Sequence, residues 1–281
     1  MATSVYIFGY GDIGKNIVMN NKNEYNILGF LDNNSKLWDK KLETGLTVYK
    51  PEKTLEGNFD GILIASTGGF KEIPEQLMKL GISRDKIILD YALIPVKGRI
   101  TFLEKLGEIF TEKSIEGSVA EGGVYRGNFA CEINRVFPNK KLYLFDTFTG
   151  FDERDIELEY RNDFSESSKL NHFMETSEEL VIRKLPYSEK AILKKGYFPE
   201  TAEGLEETFC FVNLDFDLYQ PILAGLEYFY PRMVKSGIIL IHDYFSETYK
   251  GVKQAVLEFE QRVSGIKSFP IGDGISIGIY C

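Results

Sequence analysis

Cysteine is scarce. The three in 281 residues, Cys131, Cys210 and Cys281, are scattered and lack metal-ligand spacing. That excludes a disulfide framework and fits a reducing, cytoplasmic setting with the thiols as small apolar fillers. A run of about 18 apolar residues is also missing, so no transmembrane helix and no membrane partner are expected. The first residues, Met-Ala-Thr-Ser-Val-Tyr-Ile-Phe-Gly, show no basic start and no cleavage site, so no targeting segment is expected there. Positive charge is in deficit, with 33 basic against 42 acidic residues and a net charge of −9. Nothing offsets phosphate repulsion, which argues against nucleic acid as a partner. What the chain has is apolar residues: 43% hydrophobic and 14% aromatic, enough for two domains or one large one.

The most informative stretch begins Val119-Ala-Glu-Gly-Gly-Val-Tyr-Arg-Gly127 and ends Leu142-Tyr-Leu-Phe-Asp146-Thr-Phe-Thr-Gly-Phe151. It reads as strand, glycine turn, helix from about Asn128, strand and acidic turn. Glu121, Gly123 and Gly127 stand at E-x-G-x-x-x-G spacing, where glycine permits a sharp turn and close ligand approach. The amides at the start of the helix point into the turn. Asp146 follows one β-α-β step later, where an acid can accept hydrogen bonds from ribose hydroxyls. This is not the dinucleotide fingerprint. An acid opens the loop and would repel a pyrophosphate, whereas a ligand with a cationic amine and a ribose, such as S-adenosylmethionine, fits. The alternative is a plain strand-turn-helix connection.

Upstream, residues 4–8, 25–31, 61–65 and 86–89 read as strands alternating with helices, one from after Gly14 to about residue 20 and one over 73–80, with 48–51 a short extended piece. The order suits a small parallel α/β domain. Gly9-Tyr-Gly11-Asp-Ile-Gly14, with Asp32 at the end of the second strand, is close to Rossmann spacing. Gly9, Gly11, Gly14 and Asp32 are thus a possible nucleotide site, although a strand-to-helix turn needs glycine whether or not anything binds. Ser66-Thr-Gly-Gly69 is the expected exit turn of the third strand. The Ile-Pro-Val-Lys-Gly within 91–98 marks a boundary. The expected domains are therefore residues 1–95, a Rossmann-like nucleotide-binding-type accessory domain, and 96–281. Residues 99–113 form an amphipathic helix with Ile100, Leu103, Leu106, Ile109 and Phe110 on one face.

After Phe151 the chain turns acidic. Asp152, Glu153, Asp155, Glu157 and Glu159 read as a solvated face or a lid, and His172 as a surface residue. Residues 181–185 and 191–194 are irregular helix candidates. Residues 208–214 form a strand ending in Asp215-Phe-Asp217, with a helix over 221–230. Ser236-Gly237 turns into a strand over 238–241, ending in His242-Asp243. A helix over 251–262 and a hairpin of 267–269 with 275–280 close the chain. In an open parallel sheet, ligands sit outside the carboxyl ends of the strands, where Glu121, Asp146, Asp215, His242 and Asp243 all fall. Asp215, His242 and Asp243 would make a divalent-cation site. Residues two apart in an extended segment point the same way, so Asp217 can serve that site too.

Val-Ala-Glu-Gly-Gly-Val-Tyr-Arg-Gly, Phe-Asp-Thr-Phe-Thr-Gly-Phe, Gly196-Tyr-Phe-Pro-Glu-Thr201, Asp215-Phe-Asp-Leu-Tyr219 and His242-Asp-Tyr244 together resemble the macrocin O-methyltransferase family over residues 118–259. The resemblance implies a class I methyltransferase sheet of seven strands, one antiparallel, over residues 96–281. It implies methylation of a sugar hydroxyl with S-adenosylmethionine and a divalent metal, Mg²⁺ first and Mn²⁺ second. It places the cofactor on Glu121, Gly123, Tyr125, Arg126, Gly127, Asp146 and Thr147, with Arg126 the better partner for the methionine carboxylate. Asp217 becomes the general base. His242 stands where several family members carry an acid, so it is either a ligand that favours Mn²⁺ over Mg²⁺ or a second catalytic group. The family also implies a homo-oligomer acting on a small-molecule sugar. The competing readings are an NAD-dependent oxidoreductase working through the first domain and a non-catalytic nucleotide-sugar-binding protein.

Overall fold

The computed structural model describes residues 2–66, 69, 72–165, 168–170 and 172–281. It divides into two compact units, Met1–Lys97 and Gly98–Cys281.

The first unit is a five-stranded sheet of β1 (Thr3–Phe8), β2 (Tyr25–Leu31), β3 (Val48–Tyr49), β4 (Gly61–Ile64) and β5 (Ile87–Ile88), in the order β3-β2-β1-β4-β5. All pairings are parallel. Helices α1 (Asp12–Asn20) and α2 (Glu72–Lys79) connect them. Alternate residues of the strands enter two cores, Tyr6, Phe8, Ile62 and Ile64 on one face and Val5, Ile7 and Leu63 on the other. Such uninterrupted apolar strands are what a sheet covered on both faces requires. The short piece at Val48 proves to be a fifth strand, paired with Phe30 and Leu31. Of the expected exit turn after β4, Thr67 and Gly68 lie outside the described residues.

The stretch expected to mark the boundary is helical: α3 runs over Asp90–Glu112 with Pro95 inside. Ala92 packs in the core of the first unit, and Arg99, Leu103, Leu106 and Phe110 are buried at helical spacing in the second. Ile109, expected on that face, is exposed.

The second unit is a seven-stranded sheet of β6 (Ser118–Gly122), β7 (Leu142–Asp146), β8 (Ala191–Lys195), β9 (Phe209–Leu214), β10 (Met233–Ile241), β11 (Lys267–Pro270) and β12 (Ile277–Tyr280). The order is β11-β12-β10-β9-β6-β7-β8, with β12 the one reversed strand. Helices α4 (Asn128–Val136), α5 (Glu153–Arg161), α6 (Glu178–Ile182), α7 (Tyr219–Phe229) and α8 (Lys250–Arg262) complete the unit. Again two cores flank the sheet, Phe145, Val212, Leu214, Ile239 and Ile241 on one side and Leu144, Phe211, Ile238 and Leu240 on the other.

Four expectations are corrected here. Residues 191–194 are an edge strand paired with β7 from Leu142 to Asp146; the stretch is too short for a stable helix, and pairing satisfies its backbone. Ser236-Gly237 lies inside β10 as a register shift, with Ser236 at φ 71°, because Ser236 and Gly237 pair with Cys281. His172 is half-buried, its ring 6.1 Å from that of Phe151 and 5.8 Å from that of Phe173. The acidic segment is the helix α5, and two of its acids are buried rather than solvated. Asp155 accepts a hydrogen bond from the Tyr197 hydroxyl at 2.8 Å. Glu159 accepts one from the Tyr219 amide at 2.7 Å.

Burial, reinforced by the Asp155 charge and opposed by the Tyr219 amide, pushes the Glu159 carboxyl up to about 7. A raised carboxyl contributes stability that is fully present below its unfolded value and lost as pH rises through the folded one. Between about pH 4.5 and 8 the fold should therefore lose on the order of 1–3 kcal/mol at this residue, allowing for solvent screening. Glu159→Gln keeps an acceptor for the Tyr219 amide. Its melting temperature should exceed the wild type's at pH 8 and converge with it near pH 5. Parallel melting curves across that range would contradict this assignment.

Candidate active site

Sheet register gathers the expected residues along one edge. The Gly123 amide donates to the Phe145 carbonyl, the Asp215 amide to Gly122 and the His242 amide to Leu214. Asp146, the glycine turn, Asp215 and His242 thus stand side by side at the carboxyl ends of β7, β6, β9 and β10, about one strand spacing apart.

The glycine turn is tied down from both sides. Asp146 Oδ2 accepts from the Val124 and Tyr125 amides at 2.7 and 2.8 Å, and its Oδ1 accepts from the Phe148 amide at 2.6 Å. Gly123 has φ +80°, and a Cβ there would stand 2.0 Å from the Asp215 carbonyl oxygen. Gly127, at φ 71°, caps α4. These glycines are therefore demanded by the protein's own packing. Thr147 closes the next turn by donating from its hydroxyl to the Gly150 carbonyl at 2.6 Å. The Tyr125 ring lies 5.0 Å from that of Phe173, and Arg126 is half-buried.

Glu121 is buried. Its Oε1 accepts from Asn213 Nδ2 at 2.9 Å, while Oε2 is buried without a hydrogen-bond partner. Burial and the neighbouring Asp215 charge hold its carboxyl well above the usual range, against Arg99. An orphaned buried carboxylate oxygen beside the turn fits a ligand that brings a cation or a donor.

At the ends of β9 and β10, His242 Nδ1 lies 3.0 Å from Asp215 Oδ1 and 2.9 Å from Asp243 Oδ2. One donor atom from each of the three residues lies within 4.8 Å of the others. Burial works against the imidazolium, yet the Asp215 and Asp243 carboxylates outweigh it and push His242 up to about 10. Burial likewise works against the Asp215 charge, and His242 and Arg99 outweigh it, so this carboxyl falls below its ordinary range. Asp217 goes the other way. Burial, then the charges of Asp243 and Asp215, hold it well above the usual carboxylate range, at a left-handed φ of 64°.

Two buried polar residues escaped the sequence reading. Arg99 Nη2 donates to Asn213 Oδ1 at 2.8 Å and to Asp215 Oδ2 at 2.9 Å. Its guanidinium carbon lies 3.9 Å from the Phe129 ring centroid. The signal was present: Arg99 is the one charge on the buried face of α3, and Asn213 interrupts an apolar strand. In the first unit, Asp32 is occupied by the Tyr10 and Asn34 amides at 2.9 and 2.8 Å. A Cβ at Gly14 would meet the Gly9 carbonyl oxygen at 2.2 Å, whereas Gly11 faces open space.

A family model described as macrocin-O-methyltransferase (TylF) matches residues 75–272, well over half of the chain. The chain belongs to the macrocin-O-methyltransferase family. It is an S-adenosylmethionine-dependent O-methyltransferase. Residues 1–88 match a second model, described as C2185-like, N-terminal. The structure of the O-methyltransferase NovP is similar at 20% identity and a TM-score of 0.52, over 65% of this chain and 79% of that one. The calicheamicin methyltransferase CalS11 is similar at 16% identity and a TM-score of 0.55, over 76% of this chain and 90% of that one. At these identities they show the shared fold, the class I methyltransferase sheet that the motifs implied. Among curated proteins there is no match. No helix of the described residues is long and apolar enough to cross a membrane.

Proposed function

We propose that this member of the family methylates a sugar hydroxyl, with a divalent cation held by Asp215, His242 and Asp243 and with Asp217 as the general base. The observation that carries this reading is the convergence of three ligand-type atoms at the same sheet edge as the glycine turn, with a half-buried acid, Asp217, two residues beyond the first. For bonds of about 2.1 Å, adjacent donors around an octahedral ion stand about 3.0 Å apart. The 2.9 and 3.0 Å separations at His242 fit that. A single Nδ1 proton serves two carboxylate oxygens poorly, and a divalent cation held by the three residues would satisfy all of them.

S-adenosylmethionine supplies a methyl group on a sulfonium, and the cation supplies charge that orients and acidifies an acceptor hydroxyl. The chain's own residues do the rest. Glu121 takes the amine end, Arg126 the carboxylate, and the turn braced by Asp146 and Thr147 the nucleoside. Three of the four lone-pair positions of Asp146 already face amides, so one position remains for a ribose hydroxyl. Asp217, kept basic by Asp243 and Asp215, takes the hydroxyl proton as the new O–C bond forms and the S–C bond breaks. An imidazole whose Nδ1 is committed to the cation makes a poor base, which leaves that role to Asp217. The choice among Mg²⁺ and Mn²⁺ and among free nucleotide-sugar, glycoside and polysaccharide belongs to the same proposal. So does a cytoplasmic location, where the three cysteines stay free.

For residues 1–97 we propose an accessory role. Of Gly9, Gly11 and Gly14, only Gly11 would take a Cβ with nothing within 4 Å, and Asp32 accepts from the Tyr10 and Asn34 amides. A nucleotide-sugar that raised the melting temperature without S-adenosylhomocysteine, and failed to do so in Gly11→Val, would assign it a site.

The test of the main reading is calorimetric titration with S-adenosylhomocysteine, with and without Mg²⁺ or Mn²⁺. Wild type should bind in about the micromolar range, and Asp146→Ala should lose at least about tenfold, because three amides of the cofactor turn lose their acceptor. Failure of the wild type to bind under every metal condition would remove the cofactor assignment.

A further inference from the structure

We propose that Arg99 is a specificity-determining residue for the cation: by occupying one oxygen of Asp215, it confines that carboxylate to single-oxygen ligation and so selects small octahedral ions over Ca²⁺. The inference rests on the cation reading of Asp215, His242 and Asp243 and adds a residue from outside that cluster.

Asp215 is divided between two partners. Its Oδ2 accepts from Arg99 Nη2 at 2.9 Å, and its Oδ1 faces His242 Nδ1 at 3.0 Å. Only Oδ1 is turned toward the shared point. Arg99 itself has little freedom. It is 9% exposed, its guanidinium lies over the Phe129 ring, and the same Nη2 donates to Asn213 Oδ1 at 2.8 Å. Asn213 is fixed in turn, because its Nδ2 donates to Glu121 Oε1 at 2.9 Å. An amide that accepts from a cation and donates to a carboxylate has one orientation only. To offer both oxygens to an ion, Asp215 would have to give up a buried charge-assisted hydrogen bond and leave Arg99, whose Nε already lacks a partner, still less satisfied.

Ligation by one oxygen suits some ions better than others. Mg²⁺ and Mn²⁺ take six donors in near-octahedral geometry with single carboxylate oxygens, whereas Ca²⁺ takes six to eight at about 2.3–2.6 Å and commonly uses both oxygens of a carboxylate. A guanidinium this close also lowers affinity for any divalent ion by repulsion. That effect is common to Mn²⁺ and Ca²⁺ and cancels in their ratio, so the ratio reports the geometry alone.

The experiment measures Mn²⁺ and Ca²⁺ binding to the full-length protein by calorimetry, without cofactor or acceptor, for wild type, Arg99→Met, Arg99→Lys and Phe129→Leu. Wild type should prefer Mn²⁺, and Arg99→Met should reduce the Mn²⁺-to-Ca²⁺ preference by about tenfold, the range expected for loss of a group that orients a ligand. Arg99→Lys, which can still hold Oδ2, should retain most of the preference. Should Arg99→Met fail to fold, Phe129→Leu decides: it loosens the guanidinium while both ion-pair partners remain, and the preference should fall severalfold. A folded Arg99→Met with the wild-type ratio, or an unchanged ratio in Phe129→Leu where Arg99→Met does not fold, overturns the role of Arg99 and leaves the cation site standing. A wild type that binds neither ion while binding S-adenosylhomocysteine overturns the cation site itself.

Discussion

Replacing Asp217 with asparagine is expected to lower the rate of methyl transfer by about 10²- to 10⁴-fold, the usual contribution of a positioned general base. S-adenosylhomocysteine binding should stay within about threefold of wild type. The chain leaves β9 at Leu214, places Asp215 against Arg99 and His242, and turns at Asp217 through a left-handed conformation of φ 64°. That turn brings Asp217 within hydrogen-bonding range of Asp243, so two acids share one largely enclosed space. Asp215 is held ionised by its two cations, and Asp217 is pushed well above the ordinary range by burial and by Asp243 and Asp215. Neighbouring carboxylates driven apart in this way take different tasks, one fixed as a charge and one free to gain and lose a proton. Asparagine keeps the size of Asp217 and removes its proton affinity. The measurement is S-adenosylhomocysteine release with a sugar acceptor that the wild type turns over, alongside titration with S-adenosylhomocysteine alone. A variant within tenfold of the wild-type rate would remove Asp217 from the chemistry.

The second large effect is on stability. Gly123→Ala should destabilise residues 98–281 by roughly 3 kcal/mol or more, seen as a fall in melting temperature of roughly 10 °C. Two costs add at this position. The φ of +80° is one that side chains rarely adopt, and the new methyl would stand 2.0 Å from the Asp215 carbonyl oxygen and 2.5 Å from its carbonyl carbon. Backbone cannot yield as a flexible side chain does, so β6 and β9 would have to separate at the edge where the site is built. Gly11→Ala is the control. Its φ is −102°, a Cβ there meets nothing within 4 Å, and its melting temperature should move by less than about 3 °C. Equal stability of the two variants would show that the glycine turn has slack the packing denies.

Much of the second unit was legible in the chain. Strand-length apolar runs ending in acids, with glycine turns between strand and helix, gave β6, β7 and β9, and helix α4 begins at the expected Asn128. These signals are local: period-two burial, a turn that needs glycine, and an apolar stripe. The errors fall where local preference is weak and the sheet decides. Residues 191–195 carry little strand propensity of their own and become β8 because β7 offers an unpaired edge. The acids of α5 look solvated in composition, yet Tyr197 and the amide of Tyr219 draw Asp155 and Glu159 inward.

The site divides the same way. By itself the sequence determined the residue types at the strand ends, because chain direction and strand length place Glu121, Asp146, Asp215 and His242 at the carboxyl edge of any parallel sheet. Only the tertiary structure decided what each is paired with. Register set Asn213 beside Glu121, and the packing of α3 brought Arg99 to Asp215. Partners so distant in sequence leave no periodic trace in it. The direction in which each carboxyl is shifted follows from those partners and from burial, both properties of the packed interior rather than of the chain.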